Sequence, residues 1–318
     1  MGGKLRRPKV FEAVALTAFL EASVRLTAPL ALAALGETVT ERSGVINIGI
    51  EGSLITGALC AALAALSSGS PGVGIVVGGL GGAVVALGFA AFVIGLNTDQ
   101  IITGTATTLA VLGFTGAIYQ ARFGATGTTL TLPVLQPVPL PILSNVPVLG
   151  PTLFYQAPTV YLVYILAPLI WFFLFRTEWG LELRAVGEEP AAAEAAGIRI
   201  GWTRLLAIVF GGTLAGVAGA HLALDSGTFI EGMSSGRGFI AIAVVVLGRW
   251  NPIWVLAAAF LFGSASALQF LLQAMGLNTP YPLLLALPYL LTLAALAGWV
   301  GRTRAPAALA LPWPREST

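Results

Sequence analysis

Long apolar stretches separated by short polar ones run through the chain. A helix needs roughly 20 residues to cross the hydrocarbon core of a bilayer. Stretches of that order lie at 12–36, 45–67, 71–96, 100–119, 158–175, 204–224, 251–275 and 281–300. A shorter apolar run, 238–249, reads as a re-entrant helix or a tight ninth span. Barrel strands would alternate apolar and polar residues over short segments, whereas these stretches are rich in Ala, Leu and Gly and do not alternate. The pattern predicts an all-α fold: a polytopic transmembrane helical bundle of about eight or nine spans, forming a single membrane domain over 1–318. The first stretch carries Glu21 and Arg25, four residues apart. They either pair on one helix face or mark a surface-lying start before the true span.

Two loops interrupt the pattern. Residues 120–157 contain Pro133, Pro137, Pro139, Pro141, Pro147 and Pro151, with no charge after Arg122. Proline at that density blocks a regular helix. The second loop, 176–204, holds nine charges, five acidic and four basic. Within it, 191–196 is helix-forming, with Pro190 suited to the first turn and Gly197 to the end. The expected element is a compact amphipathic helix in an aqueous loop.

Composition sharpens the membrane assignment. Of 318 residues 57% are hydrophobic, and only 30 are Lys, Arg, Asp or Glu. That is 9% of the chain, against roughly a quarter in soluble domains. A soluble globule, a disordered chain and a nucleic-acid binder are all excluded by this composition. Cys60 and His221 are each the sole residue of their type, so no intrachain disulfide forms and multi-imidazole zinc or haem chemistry is absent. No Gly-rich phosphate loop ending in Gly-Lys-Ser/Thr is present, so no ATP hydrolysis by that machinery is expected. Many of the 39 glycines fall inside spans, where small residues let backbones approach closely.

Orientation follows the distribution of Lys and Arg. Arg176, Arg184, Arg199 and Arg204 favour a cytoplasmic second loop, and Arg302 and Arg304 a cytoplasmic C-terminus. The proline-rich loop then falls outside, 37–44 inside, and the N-terminus outside. Lys4, Arg6, Arg7 and Lys9 argue for the opposite placement of the N-terminus, so the two indicators conflict there.

Two polar, Gly-rich stretches carry the candidate chemistry. Residues 41–52 read ERSGVINIGIEG and place Glu41, Arg42, Gly44, Asn47, Gly49, Glu51 and Gly52 in an otherwise apolar run. A carboxylate at Glu51 must be paired, neutral or facing water, with Arg42 or Arg237 as the expected partner. Glu41 and Arg42 also read as interfacial caps. Residues 229–240 hold Ser234, Gly236, Arg237 and Gly238 in a similar setting. A broken backbone is tolerated at membrane depth only against protein or a wet cavity. Asn47, Glu51, Ser234 and Arg237 are the candidates for a pathway; Glu41, Arg42, Gly44, Gly49, Gly52, Gly236 and Gly238 are the structural framework. His221 and Asp225, four apart, face one way on a helix and suggest a hydrogen bond or salt bridge. Residues 97–100 form a polar interfacial link. A faint duplication is also visible, Gly-Leu-Asn-Thr at 95–98 recurring at 276–279, an offset of 181. Around a similar offset, 42–46 resembles 236–240.

With these motifs in place, the chain resembles permease subunits of bacterial ABC importers in the branched-chain amino acid, ribose and nucleoside permease superfamily. Residues 41–52, 183–197 and 231–252 carry the match, which covers roughly Ala28 to Gly301, and the pattern is most similar to the simple-sugar and nucleoside branch. The resemblance implies that 183–197 is the coupling segment docking on an ATPase. Arg184, Glu188, Glu189 and Glu194 would meet that partner, and Ala191 to Gly197 would supply the helix. It further implies a second permease subunit, related or identical, an extracytoplasmic solute-binding lipoprotein, and a multi-pass location in the bacterial inner membrane. No cofactor and no catalytic residue is expected, since ATP hydrolysis belongs to the partner subunit. The cargo is expected to be a small polar solute, with nucleosides ahead of simple sugars and amino acids. The rival reading is an ATPase-independent secondary transporter or channel.

Overall fold

The computed structural model describes residues 9–124, 131–274 and 304–311, with the helical positions Leu283, Ala286, Leu290 and Ala294. Its elements in order are α1 (Lys9–Arg42), α2 (Ile50–Ser68), α3 (Pro71–Ala90) with a π turn (Ala91–Gly95), and α4 (Gln100–Phe123). Next come β1 (Val138–Pro139), a 3-10 turn (Leu143–Asn145), α5 (Leu149–Phe154), β2 (Tyr155–Gln156) and α6 (Pro158–Arg176). The chain continues through α7 (Glu178–Glu188), α8 (Pro190–Ala195), α9 (Ile200–Ser226), α10 (Arg237–Leu247) and α11 (Pro252–Ala274).

Seven helices among the described residues are long and apolar enough to cross a membrane: α1 from Leu16, α2, α3 with its π turn, α4, α6, α9 and α11. The expected span at 281–300 and the second copy of the duplication at 276–279 lie outside the described residues, apart from the four helical positions named above. The polytopic helical bundle agrees with the hydropathy pattern. The first span differs from expectation in extent, because α1 runs without interruption through Pro29 to Arg42. Arg25 pairs across the bundle with Asp225 at 3.8 Å rather than with Glu21.

α9 is the centre of the bundle, packed against α1, α2 and α3. Glycine makes that contact close. A Cβ on Gly57 or Gly82 would collide with the backbone of Gly216, and one on Gly219 with the carbonyl of Leu54. Lipid provides no apolar driving force for association, so packing itself must hold such helices together. Alanines fill the remaining space: Ala58, Ala61, Ala215, Ala218, Ala220 and Ala223 are fully buried. Polar side chains here are bonded across the bundle, as in the 2.6 Å contact between Thr159 Oγ1 and His221 Nδ1. His221 thus pairs with Thr159, and Asp225 with Arg25.

The proline-rich segment is ordered by backbone bonds at the end of α9. Leu132 N donates to Gly227 O at 2.8 Å and Leu135 N to Leu224 O at 3.0 Å. The charged loop is more helical than its composition predicts. Besides the expected short helix, α8, it contains α7, whose start is capped by Thr177 Oγ1 accepting from Gly180 N at 3.1 Å. Gly197 follows α8 at φ +86°, the left-handed conformation that ends a helix.

Replacing Gly216 by leucine should lower stability in detergent by about 1–3 kcal/mol, the usual cost of overpacking. Gly88, with nothing within 4 Å of an added Cβ, should accept alanine without effect. Thermal unfolding of both variants checks the contrast.

Candidate functional site

The first Gly-rich stretch is a break between α1 and α2, and it climbs along α4. Ile46 N donates to Gln100 Oε1 at 2.9 Å, and Ile48 O accepts from Thr108 Oγ1 at 3.1 Å. Gly52 then packs beside Thr108 and Val111. From Gln100 to Thr108 is roughly 12 Å of helix rise, so Glu51 lies near the middle of a core about 30 Å thick. The chain turns sharply at Gly44, where φ is +87°, a conformation that favours glycine.

The second Gly-rich stretch descends from the end of α9 to the same depth. There α10 begins. Its 11 residues span roughly 16 Å, about half the core, and lead to residues 248–251 at the α7–α8 end. The run at 238–249 is therefore the half of one broken crossing nearer the α7–α8 end, with irregular backbone at 228–236 forming the other half.

Glu51 joins the two breaks. Its Oε1 accepts from Gly236 N at 2.8 Å and its Oε2 from Gly238 N at 2.6 Å. Gly236 precedes α10 at φ +78°, and a Cβ on Gly238 would press against the Glu51 backbone. The carboxylate thus satisfies amides that a helix start leaves open and complements the positive end of its dipole. The expected arginine partners are not the ones found. Arg42 Nε donates to Trp250 O at 3.0 Å, with its guanidinium over the Phe175 ring. Arg237 Nη1 donates to Met233 O and Ser234 O at 2.9 and 3.2 Å, closing its own turn. The only ion pair among the described residues is Arg25–Asp225. Backbone amides outcompete a guanidinium here because they sit at a fixed place and need no side-chain ordering.

A buried polar network surrounds the base of the first break. Glu37, Thr40, Glu41, Ser43 and Asn47 are all fully buried. Glu37 Oε1 accepts from Asn47 N at 2.8 Å, Glu41 Oε2 from the Trp250 indole, and Ser43 O from Arg204 Nε at 3.2 Å. Glu41 is therefore a core anchor rather than an interfacial cap. Asn47 keeps both atoms of its side-chain amide buried and unbonded among the described residues, as does the Ser234 hydroxyl. Asp99 caps α4 by accepting from Ile101 N and Ile102 N, both at 2.9 Å. Gln100, expected in an interfacial link, is buried inside the network. Glu37 and Trp250 were not singled out from sequence, and Arg204 was read only as a charge that sets orientation. The spacing of Glu37 and Glu41, one helical turn apart in an apolar run, was the signal available for the first of them.

The coupling candidates gather at the end of the bundle beside this network. Glu188, Glu189, Ala191, Glu194 and Gly197 are exposed. Arg184 is half-buried, its guanidinium 5.1 Å from the Phe175 ring centroid. It anchors α7 instead of standing free. Gly187 lies against Arg42 O and Gly44 so closely that a Cβ would collide. The segment 304–311 bridges the two, with Ala308 N donating to Gly187 O at 2.9 Å and Ala310 N to Gly44 O at 3.2 Å.

Residues 19–296 match the model of the branched-chain amino acid transport system permease component. The chain belongs to this permease family. Guanosine ABC transporter permease protein NupQ of Bacillus subtilis is 36% identical over 94% of the permease and 97% of its own length. Nucleoside ABC transporter permease protein NupC of Lactococcus lactis is 33% identical, covering 88% and 91%. Glucose ABC transporter permease protein TsgB13 of Haloferax volcanii is 28% identical, covering 74% and 64%. No solved structure matches the permease. Its apolar crossings and these relatives together make it a multi-pass membrane protein.

Glu51→Gln in this permease removes one acceptor oxygen and turns an N–H donor toward an amide. Breaking such a buried bond costs about 1–3 kcal/mol. Hydrogen exchange at the start of α10 should accelerate by roughly 5- to 150-fold, with α6 unchanged.

Proposed function

We propose that the permease is the membrane subunit of an ATP-driven importer for nucleosides or simple sugars in the cytoplasmic membrane. The observation that carries this reading is near full-length similarity to permeases named for guanosine and nucleosides. A relative named for glucose supports the wider cargo class. The scarcity of fixed charge within the spans agrees with a neutral polar cargo, recognised by hydrogen bonds rather than by a counter-ion.

In this reading the α7–α8 end faces the cytoplasm and the proline-rich segment faces outward. The exposed carboxylates Glu188, Glu189 and Glu194, with Ala191 and Gly197, meet an ATPase subunit, while Arg184 holds α7 to the bundle. A lever must be stiff to convert a partner's closure into helix movement. Gly187 packed on Arg42 and Gly44 supports that role, because motion of α7 presses directly on the first break. The break leads to Glu51, and Glu51 leads to α10. Asn47, Glu51, Ser234 and Arg237 thus divide by task. Glu51 and Arg237 set the backbone at mid-depth, and the unbonded amide of Asn47 and hydroxyl of Ser234 offer hydrogen bonds near it. A second permease subunit would complete the route, and a solute-binding lipoprotein would deliver cargo to the outer face.

The assembled complex in proteoliposomes should accumulate guanosine or glucose only with ATP. Replacing Glu188, Glu189 and Glu194 together by glutamine should lower solute-stimulated ATP hydrolysis at least fivefold while the thermal midpoint of the permease is retained. Undiminished stimulation would remove the docking assignment, and ATP-independent accumulation would favour a secondary transporter.

A further inference from the structure

Glu231 opens the broken crossing, and nothing described above employs it. Its side chain is exposed, and among the described residues its carboxylate makes no hydrogen bond and no ion pair. It lies against α4 at Gly116, which is buried beneath it, and a Cβ on Gly116 would occupy the place of Glu231 Oε1. Gly116 is 16 residues beyond the start of α4, or roughly 24 Å from that end. The carboxylate therefore sits in the outer part of the bundle, on the broken crossing and above the point where Glu51 caps α10.

A charged group facing lipid at that depth is unfavourable, so ionisable residues within spans face a wet cavity, a partner or the bundle interior. Among the described residues Glu231 has no hydrogen-bond or ion-pair partner, and Ser235, four residues on in the same non-helical segment, is exposed as well. The α4 surface beside it is wide open: Leu109 and Phe114 are 65% and 68% exposed. The apolar part of this surface suits lipid or a second subunit. The segment that exposes Glu231 and Ser235 suits water and a hydrogen-bonding solute.

We propose that Glu231 is a solute-recognition residue in the outer half of the route, its two carboxylate oxygens accepting from adjacent hydroxyls of a sugar ring. This deepens the importer reading and rests on it. The chemistry fits a neutral cargo with a vicinal diol, a feature shared by ribonucleosides and hexoses. A carboxylate is an acceptor only, and two oxygens in one plane match two neighbouring O–H donors. Gly116 supplies the room that keeps the carboxylate against α4, so Gly116 is a positioning residue.

The test measures ATP-driven uptake by the assembled complex in proteoliposomes. Guanosine is compared with 2′-deoxyguanosine, which lacks the diol, and glucose with 2-deoxyglucose, which loses both vicinal pairs that include the 2-hydroxyl and keeps only the 3,4 pair. The wild type should prefer the hydroxylated member of the pair it carries, by about tenfold in kcat/KM. Glu231→Gln should bring that ratio close to one by raising KM for the hydroxylated cargo, with the deoxy analogue changed less than twofold. Gly116→Ala, which keeps the charge but displaces it, should reduce the ratio in the same direction. A ratio unchanged in Glu231→Gln, or a wild type that does not discriminate, overturns the recognition role while leaving the importer reading intact. A wild type that takes up neither guanosine nor glucose overturns that reading and the recognition role with it.

Discussion

The arrangement of this bundle depends on one carboxylate at mid-membrane depth. Glu51 receives the amides of Gly236 and Gly238, and so fixes where α10 begins. An unpaired backbone amide in this setting would be costly because no water is at hand to satisfy it. A charged side chain there would be costly for the same reason. Each supplies what the other lacks. The pairing lets one crossing be irregular in the half that follows α9 and helical in the half nearer α7 and α8.

Around that point, close packing turns local contacts into mechanical connection. Glycines at 57, 82, 216 and 219 bring α2, α3 and α9 to backbone distance, leaving little compressible side-chain volume between them. The buried network of Glu37, Glu41, Arg204 and Trp250 then ties the base of α1 to α9 and to the loop before α11. Gly187 and Ala308 extend the same connection to α7. The polar groups concentrate where chain segments end or break, since those are the places where backbone bonding is incomplete.

Much of the fold was legible in the residues. Apolar length located each described crossing, and charge density located the polar segment that carries α7 and α8, because both depend on composition over many residues. The reading of α8 and its Gly197 terminator succeeded through local helix chemistry. The helix α7 was missed, because the charges at 178, 182, 184 and 188 and the glycines at 180 and 187 interrupt its apolar positions. The site was only half legible. Polar residues in apolar runs identified both breaks, yet the arginine partners expected for Glu51 were wrong. Side-chain charge is visible in a sequence, whereas the open amides of a helix start are not, until the fold shows where that helix starts.

By itself, then, the sequence determined the medium, the helical class and the two places where the backbone departs from regular helix. These follow from solvation and from the hydrogen-bonding needs of local segments. Only the tertiary structure decided that the short apolar run is half of a broken crossing, that Glu51 caps it, and that Glu231 rests on Gly116. Those outcomes join residues far apart in the chain, 185 and 187 positions in the case of Glu51. Their energetics depend on depth and on neighbours, and both exist only once the helices have packed.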